Sequence, residues 1–217
     1  MIEDLMPPGV VIAESFADPP DATLFPEEAA LVARAVDARR TEFATGRHCA
    51  RTALAGLGLP PAPILSGPRG EPLWPDGVVG SITHCRGYRA AAVARRSDVL
   101  SIGMDAEPRE PMPPGVLDAI ALPQERAWAE SAPERGRLLF TMKESVFKAW
   151  YPVTRRNLGF DQAEITVDDT GTFTAKLLVP GPVGEFTGRW LVSDGFVASA
   201  IVWGSAGGGA HHCVGRP

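Results

Sequence analysis

The sequence predicts an α+β fold made of two similar halves. In each half, helical patterns precede a run of short strand-like segments, an order that is typical of α+β domains. Turn sequences such as Pro75-Asp76-Gly77 and Asp169-Thr170-Gly171 separate the strand-like segments. No repeat is visible at the level of single residues, so the similarity of the halves is inferred from this order alone. The expected units are an N-terminal half, a C-terminal half and a flexible glycine-rich tail, at residues 1–103, 104–203 and 204–217.

The first half opens with a strand-like segment at 8–16 and continues with two helices. Pro26 and the two glutamates after it suit a first helical turn, because proline lacks an N–H that is unpaired there and carboxylates are favoured at the positive end of the helix dipole. Apolar residues recur at helical spacing to about Ala38, and a second helical run extends from Phe43 to about Leu57. The strand-like segments that follow are 73–74, 78–84, 88–94 and 99–104.

The second half repeats the order of helices and then strands. Helices are predicted at 115–121, 123–130 and 135–151, and the last is expected to end at Pro152 because proline cannot donate a backbone hydrogen bond. Segments that alternate as strands do, separated by turns, predict a β-meander after it. These segments are 162–167, 173–178, 186–193 and 196–202.

Composition and charge exclude several classes of function. The chain has 217 residues and a net charge of −5, from 21 basic and 26 acidic residues, so it lacks the basic excess typical of nucleic-acid binding. No apolar run approaches the roughly 20 residues that a membrane span needs, and the first residues do not form a signal peptide. Three cysteines without a CxxC pair fit a reducing compartment. We therefore expect a cytoplasmic protein that binds neither nucleic acid nor membrane.

Two carboxylates follow an apolar strand in the segment Ser101-Ile102-Gly103-Met104-Asp105-Ala106-Glu107. Because side chains alternate along a strand, Asp105 and Glu107 point to the same face. Like charges at that distance repel each other, and a hard cation such as Mg²⁺, which prefers oxygen ligands, would relieve the repulsion. The alternative is a solvated strand end with two ordinary surface acids, and this segment alone does not decide between them.

A second group of polar residues lies on the helix predicted at 135–151. Glu144, Phe147, Lys148 and Tyr151 fall at i, i+3, i+4 and i+7 and therefore share one face. A carboxylate and a lysine one turn apart suit phosphoryl transfer, in which the carboxylate binds a cation and the lysine contacts a phosphate oxygen. The same pair is also a common helix-stabilising arrangement, and that is the simpler interpretation of this segment alone.

Two further segments contain residues that could bind an anion. Ser81 and Thr83 share one face of a strand that ends at His84, and Arg47 and Arg51 are one helical turn apart, as in a clamp for a polyanion. A structural histidine and a solvated basic helix face are the simpler alternatives. The sequence has no GxSxG, GxGxxG or GxxxxGK[ST] pattern. Its adjacent His–Cys pairs lack the spacing of a zinc site.

The order and spacing of these segments are more specific than any one of them. GRHCARTALAGLG, GEPLWPDGVVGSITHC, SIGMDAE and TMKESVFKAWYP follow one another within residues 43–151, about half of the chain. This arrangement resembles the surfactin- and enterobactin-type 4′-phosphopantetheinyl transferases, and it is most similar to the enterobactin-synthetase component D branch. The resemblance implies two similar α+β halves with coenzyme A bound in the cleft between them.

The resemblance also implies an activity. The enzyme would transfer the phosphopantetheine arm of coenzyme A, its co-substrate, to a serine of an apo peptidyl, acyl or aryl carrier protein. Adenosine 3′,5′-bisphosphate would be released. Such carriers belong to the biosynthesis of nonribosomal peptides, polyketides and siderophores.

Each residue that matches the family motifs acquires a role by the same resemblance. Asp105, Glu107 and Glu144 would hold Mg²⁺, for which Mn²⁺ could substitute. Lys148 would contact the pyrophosphate of coenzyme A, and Glu144 would accept the proton of the carrier serine, so that catalysis depends on Asp105, Glu144 and Lys148. The residues expected to bind coenzyme A are Arg47, Arg51, Arg69, Ser81, Thr83, His84 and Lys148.

One position departs from the family pattern, and two other functions remain open. Glu71 stands where many members carry a lysine, and a carboxylate cannot bind phosphate, so that contact would fall to Arg69 or another arginine. A magnesium-dependent phosphohydrolase that cleaves coenzyme A with water would need the same carboxylates. A non-catalytic coenzyme A-binding module would not need all of them together with the lysine. Since two fused halves would already form the cleft, we expect a monomer.

Overall fold

The structure is a computed structural model that describes residues 1–193 and 195–204. It confirms the α+β prediction, because helices and two antiparallel sheets make up the described chain. The helices are α1 (Pro26–Leu31), α2 (Asp37–Gly56), α3 (Val116–Ile120), α4 (Pro123–Ala129) and α5 (Arg135–Thr154). The strands are β1 (Val11–Ser15), β2 (Val78–Cys85), β3 (Tyr88–Arg95), β4 (Val99–Pro108), β5 (Ala163–Asp168), β6 (Thr172–Leu177), β7 (Glu185–Ser193) and β8 (Phe196–Gly204). Single turns of 3-10 helix lie at Ile2–Leu5 and Phe160–Gln162.

The first sheet has three strands in the order β1-β3-β2, and α2 packs against it. Ala50, Leu54 and Ile64 are fully buried in the apolar cluster between the helix and the sheet. The central strand β3 is rich in alanine and buried on both of its faces. Small side chains on this strand let the helix approach one face while the second sheet packs near the other.

The second sheet has five strands in the order β4-β8-β7-β6-β5, and α5 covers one of its faces. Met142, Val146 and Trp150 of α5 are fully buried against this sheet. Their spacing of four residues places them on one side of the helix, which leaves the side with Glu144 and Lys148 free of the core. The amphipathic pattern of α5 therefore decides which residues reach the site described below.

The two sheets meet at β2 and β4, which lie side by side but belong to different sheets. The Oγ of Ser81 accepts a hydrogen bond of 3.2 Å from the N–H of Met104. The Oγ1 of Thr83 accepts one of 3.0 Å from the N–H of Ala106. We call this junction of Ser81 and Thr83 with β4 the seam. At the seam, side-chain hydroxyls provide the hydrogen bonds that a neighbouring strand would otherwise supply.

Several element boundaries differ from those predicted. Helix α5 continues through Pro152 to Thr154, because the missing N–H costs one hydrogen bond in the last turn while the N–H of Arg155 still donates to the carbonyl of Tyr151 at 2.8 Å. The strand predicted at 73–74 does not form, since Leu73 lies in a loop and donates to the carbonyl of Leu65.

The start of the chain also differs in detail. Helix α1 ends at Leu31 rather than near Ala38, and α2 begins at Asp37 rather than at Phe43. Apolar spacing continues through both helices and therefore gave no sign of the break between them.

The division predicted between residues 103 and 104 falls inside β4 and stays a prediction. Gly204 ends β8, and the remainder of the predicted tail, with its His211-His212-Cys213 cluster, lies outside the described residues. In the described part of the chain, no helix is both long enough and apolar enough to cross a membrane.

Candidate active site

A cavity of about 440 Å³ opens between the two sheets and their helices. Its walls come from α2, from the segment 66–77, from β2 and from α5. The four residues predicted to share one helical face all line it, and they are Glu144, Phe147, Lys148 and Tyr151. The helical periodicity of the sequence thus predicted the wall that α5 contributes.

Gly103 sets the distance between this wall and β4. A Cβ atom at position 103 would lie 2.0 Å from the carbonyl oxygen of Ser145 and 2.5 Å from the backbone nitrogen of Ala149, so only glycine permits this approach. Two residues earlier on β4, the Ser101 hydroxyl donates to the carbonyl of Ala149 at 2.7 Å. The close contact brings this turn of α5, which also carries Lys148, near enough to β4 for Lys148 to bind the carboxylate of Asp105.

Asp105 lies at the centre of the polar groups. Its Oδ1 accepts hydrogen bonds from Lys148 Nζ at 2.7 Å and from Thr83 Oγ1 at 3.1 Å. Its Oδ2 is buried and has no hydrogen-bond partner in the described structure. A buried carboxylate oxygen without a partner is unfavourable, so this atom suits a ligand that the protein alone does not supply.

Glu144 is half-buried and makes no hydrogen bond or salt bridge with the described residues. Burial raises the pKa of Glu144, the charge of Lys148 lowers it and the charge of Asp105 raises it further. Burial also raises the pKa of Glu107, and repulsion from Asp105 adds to this effect. Burial is thus the largest cause of both shifts, and a bound cation would favour the ionised forms.

The carboxylates fit a hard cation only in part. Asp105 offers an unpaired oxygen and Glu144 an unpaired carboxylate, which are the donors that Mg²⁺ prefers. Glu107, however, is bound by Arg137, whose Nη1 donates to Oε2 at 2.8 Å. Among residues 1–193 and 195–204, no three His, Cys, Asp or Glu side chains are close enough together to hold a metal ion. Glu107 would have to contribute through Oε1, to which Arg137 makes no hydrogen bond.

Ser81 and Thr83, which were predicted to share a strand face, form the hydrogen bonds of the seam. Thr83 is buried and its hydroxyl is shared between Asp105 and β4, while Ser81 also lines the cavity. Both side chains therefore orient the strand that carries Asp105. Their predicted contact with coenzyme A stays a prediction.

Arg47 lines the cavity, whereas Arg51 does not. The Nε of Arg47 donates to the carbonyl of Ile64 at 2.8 Å, its Nη2 donates to Ser66 Oγ at 3.0 Å, and desolvation lowers its pKa to about 10. The guanidinium thus remains charged at neutral pH. Arg51 instead donates to both carboxylate oxygens of the fully buried Glu28, each at 2.9 Å.

His84 reaches the cavity with two neighbours from α2. Its Nδ1 lies 3.2 Å from Glu42 Oε1, and its Nε2 lies 3.0 Å from Arg39 Nη1. Because arginine can only donate, Nε2 accepts and the proton resides on Nδ1. Burial lowers the pKa of His84 and favours this neutral form.

Arg39 was missed by the sequence reasoning. It lines the cavity together with Phe43 and Arg47, and the three lie at i, i+4 and i+8 on α2. That spacing was present in the sequence, but the helix predicted to start at Phe43 excluded its first member. Arg69 also lines the cavity and is exposed on the segment 66–72.

Comparisons with known families agree with this geometry. Residues 27–94 match the 4′-phosphopantetheinyl transferase N-terminal domain, and residues 101–200 match the 4′-phosphopantetheinyl transferase superfamily. The first match contains α2 and β2 with the arginines and His84. The second contains β4 and α5 with the carboxylates and Lys148.

Individual relatives extend the similarity to nearly the whole chain. The chain is 55% identical to the 4′-phosphopantetheinyl transferase Svp of Streptomyces mobaraensis over 97% of its length and 92% of the relative. It is 52% identical to the 4′-phosphopantetheinyl transferase PptT of Mycobacterium tuberculosis over 88% of this chain and 90% of the relative. Enterobactin synthase component D of Salmonella typhi is 34% identical over 59% of this chain and 55% of the relative. The resemblance in the motifs is thereby confirmed, and the chain belongs to the 4′-phosphopantetheinyl transferase superfamily.

Proposed function

We propose that this chain transfers the 4′-phosphopantetheine arm of coenzyme A to a serine of an apo carrier protein, with Asp105, Glu144 and Lys148 as its catalytic groups. The observation that carries the proposal is the cavity lined by Glu144, Lys148, Arg47 and His84, in which Lys148 also binds the carboxylate of Asp105 on β4. A cation and carboxylates in one cavity suit a diphosphate ester and a hydroxyl nucleophile.

In this reaction the serine oxygen forms a bond to the β-phosphorus of coenzyme A, and the bond from that phosphorus to the oxygen bridging the two phosphates breaks. Adenosine 3′,5′-bisphosphate leaves with the electron pair. Lys148 stabilises the negative charge of the diphosphate oxygens. Glu144 accepts the serine proton, directly or through water, and its raised pKa makes it a stronger base than an exposed glutamate. Since the nucleophile belongs to the carrier, the chain needs no activated Ser or Cys of its own.

Asp105, Glu107 and Glu144 would hold Mg²⁺, or Mn²⁺ in its place, near the diphosphate. The ion would neutralise charge on the non-bridging oxygens when it is bound. The support is the unpaired Oδ2 of Asp105 and the raised pKa values of both glutamates. Thr83 and Lys148 hold Oδ1 of Asp105 and so direct Oδ2 towards a ligand.

The adenosine and 3′-phosphate of coenzyme A would lie near Arg47, Arg69 and His84, and we add Arg39 to this group. Arg51 contributes indirectly, because it neutralises the buried Glu28. Glu28 in turn accepts a hydrogen bond from the N–H of Ile64, and the carbonyl of Ile64 accepts one from Arg47. Ser81 and Thr83 contribute by fixing β4 at the seam. All of the residues proposed for the site belong to one chain, which supports the proposal of a monomer.

The partners would be apo peptidyl or acyl carrier domains in the cytoplasm, in pathways to nonribosomal peptides, polyketides or siderophores. The relatives named enterobactin synthase component D support the last of these. Because the net charge is −5, attraction to an acidic carrier must come from a local surface and not from the whole molecule.

Intact-mass spectrometry tests the proposal. A peptidyl or acyl carrier protein incubated with this chain, coenzyme A and Mg²⁺ should gain the mass of one phosphopantetheine. The gain should disappear with a chelator and with Glu144→Gln. Cleavage of coenzyme A in the absence of carrier would identify a phosphohydrolase instead. Tight coenzyme A binding without either reaction, across several carriers, would identify a binding module.

A further inference from the structure

We propose that Glu71 and Arg155 form a clasp across the cavity and act as positioning residues that hold Arg69 in place for coenzyme A. The inference rests on the proposed function and names residues that would govern binding of its co-substrate. Arg155 Nη1 lies 2.8 Å from Glu71 Oε1, and both residues line the cavity. Glu71 precedes β2, in the N-terminal part, and Arg155 follows the last turn of α5, so one ion pair joins opposite walls.

The carboxylate of Glu71 also organises its own loop. Its Oε2 accepts a hydrogen bond of 2.9 Å from the N–H of Arg69. The carbonyl of Glu71 accepts the N–H of Gly67 at 2.7 Å, and the carboxylate folds so closely over Gly67 that a Cβ there would lie 2.1 Å from Oε1. The loop is therefore tight, and the backbone of Arg69 is fixed by the same side chain that binds Arg155.

The opposite end of this loop is bound to Arg47 of α2. Ser66 accepts a hydrogen bond from Arg47, and Ser66 pairs with Pro72 in an isolated β-bridge. The segment 66–72 is thus held by Arg47 from one wall and by Arg155 from the other. Arg69, which has an exposed side chain, extends from the middle of the segment.

Arg155 has a left-handed backbone conformation, which is energetically unfavourable for an arginine. It ends α5 with φ 54° and ψ 20°, the left-handed region where glycine is the usual residue. Its side chain is 60% exposed, so no apolar burial explains the choice, whereas the carboxylate it meets is only 10% exposed. A strained residue beside a site suggests a role for its side chain, and the contact with Glu71 provides one.

This arrangement gives the carboxylate at position 71 a function although it cannot bind phosphate. Glu71 cancels the charge of Arg155 and fixes the position of Arg69, so the loop presents one defined cation to the cavity. Loss of either partner should free the loop and weaken the binding of coenzyme A without changing the catalytic groups on β4 and α5.

Arg155→Gly is the sharpest variant, because it removes the guanidinium and also relieves the backbone cost. We expect its KM for coenzyme A to rise about threefold to tenfold, as for loss of a partly buried ion pair. Its kcat should stay within about twofold, and its Tm should equal or exceed that of the wild type. If Arg155 had only a structural role, its loss would raise the KM only together with a lower Tm. Arg155→Lys, which keeps the charge, should restore most of the affinity.

Glu71→Gln and the double variant test the pairing. Glu71→Gln should raise the KM to a similar extent, and Glu71→Gln with Arg155→Gly should raise it no further, because the same ion pair is lost in all three. Arg156→Gln is the matched control, since Arg156 donates to the carbonyl of Pro180 at 2.8 Å and does not line the cavity. Its KM should be that of the wild type.

Three results would overturn the clasp: an unchanged KM in Arg155→Gly, a lowered KM in Glu71→Gln, or additive effects in the double variant. Calorimetric binding of coenzyme A to the same variants separates this test from that of the function. A wild-type chain that binds coenzyme A but modifies no carrier refutes the proposed transfer, while the variant affinities still decide on the clasp.

Discussion

Lys148 Nζ lies 2.7 Å from Asp105 Oδ1 and 3.1 Å from the carbonyl oxygen of Met104, so one amine binds both the side chain and the backbone of β4. The Lys148 side chain is 26% exposed and that of Asp105 is 9% exposed. Loss of the ion pair would therefore cost the more deeply buried Asp105 carboxylate more than the Lys148 amine, which water can reach. The proposed function and the stability of the fold would therefore both depend on this contact.

Lys148→Met should reduce both stability and transfer. Removal of the amine leaves the Asp105 carboxylate buried without a counter-ion, at a cost of about 1–3 kcal/mol, and transfer should fall at least about 100-fold because the diphosphate loses its cation. Thermal melts and single-turnover transfer measure the two effects. Addition of Asp105→Asn should recover the Tm but not the activity. A double variant as unstable as Lys148→Met would show that the charge of Asp105 is not the cause.

Glu144→Gln should separate activity from stability in the opposite way. Burial raises the pKa of Glu144, so the folded state disfavours the ionised carboxylate more than the unfolded state does. At neutral pH the ionised Glu144 therefore lowers the free energy of unfolding. The neutral amide removes this cost, and the Tm should be no lower than that of the wild type. Transfer should fall at least about 100-fold with the loss of the proton acceptor. An active Glu144→Gln variant would assign the proton transfer to another group.

Binding of Mg²⁺ should depend on pH through the same glutamate. A carboxylate with a raised pKa binds the cation fully only above that pKa and loses it as the pH falls. The acid limb of calorimetric Mg²⁺ affinity should therefore lie above pH 4.5, the ordinary value for glutamate. Glu107 adds to this limb, since its pKa is raised as well. If the affinity stayed constant down to pH 4.5, the two glutamates would not be ligands.

Gly103→Ala should destabilise the fold and displace the site residues of α5 from β4. The new Cβ would lie 2.0 Å from the carbonyl of Ser145, so α5 must move away from β4, at a cost of at least about 2 kcal/mol. Chemical denaturation and transfer should both report the loss. Gly184→Ala is the matched control, because a Cβ there meets nothing within 4 Å. Equal stability of the two variants would mean that helix and strand adjust at no cost.

Thr83→Val should weaken the seam and the position of Asp105 together. Valine keeps the shape but leaves the buried N–H of Ala106 without an acceptor, which costs about 1–3 kcal/mol. The affinity for Mg²⁺ should also fall, because Asp105 loses one of the two donors that orient it. Thr83→Ser should restore both quantities. Failure of serine to restore Mg²⁺ binding would point to packing of the methyl group instead.

Local periodicity was sufficient to group the polar residues that share one face of an element. The four cavity residues of α5 follow from a repeat of 3.6, and Asp105 follows from a buried strand that ends in carboxylates. Both features depend on residues close in sequence. The local sequence could therefore place Glu144 and Lys148 on one helix face and Asp105 on a strand, whereas the meeting of these two elements was implied only by the resemblance to the family.

Contacts between distant residues could not be predicted in the same way. The pairing of Arg51 with Glu28 depends on how α1 docks beside α2, and that of Glu107 with Arg137 depends on where α5 begins. Each of these ions looked equally available in the sequence. Tertiary packing decides which of them face the cavity and which are neutralised elsewhere.

The seam has a mechanical consequence for the cleft. Neighbouring strands within a sheet are held by a whole ladder of backbone bonds, so any slip breaks many bonds at once. Between β2 and β4, the hydroxyls of Ser81 and Thr83 make three side-chain hydrogen bonds instead. Because the Thr83 hydroxyl accepts from the backbone of β4 and also donates to Asp105, any displacement of β2 along β4 would change the position of this carboxylate as well. The alignment of the two sheets and the position of Asp105 are thus set by the same hydroxyl.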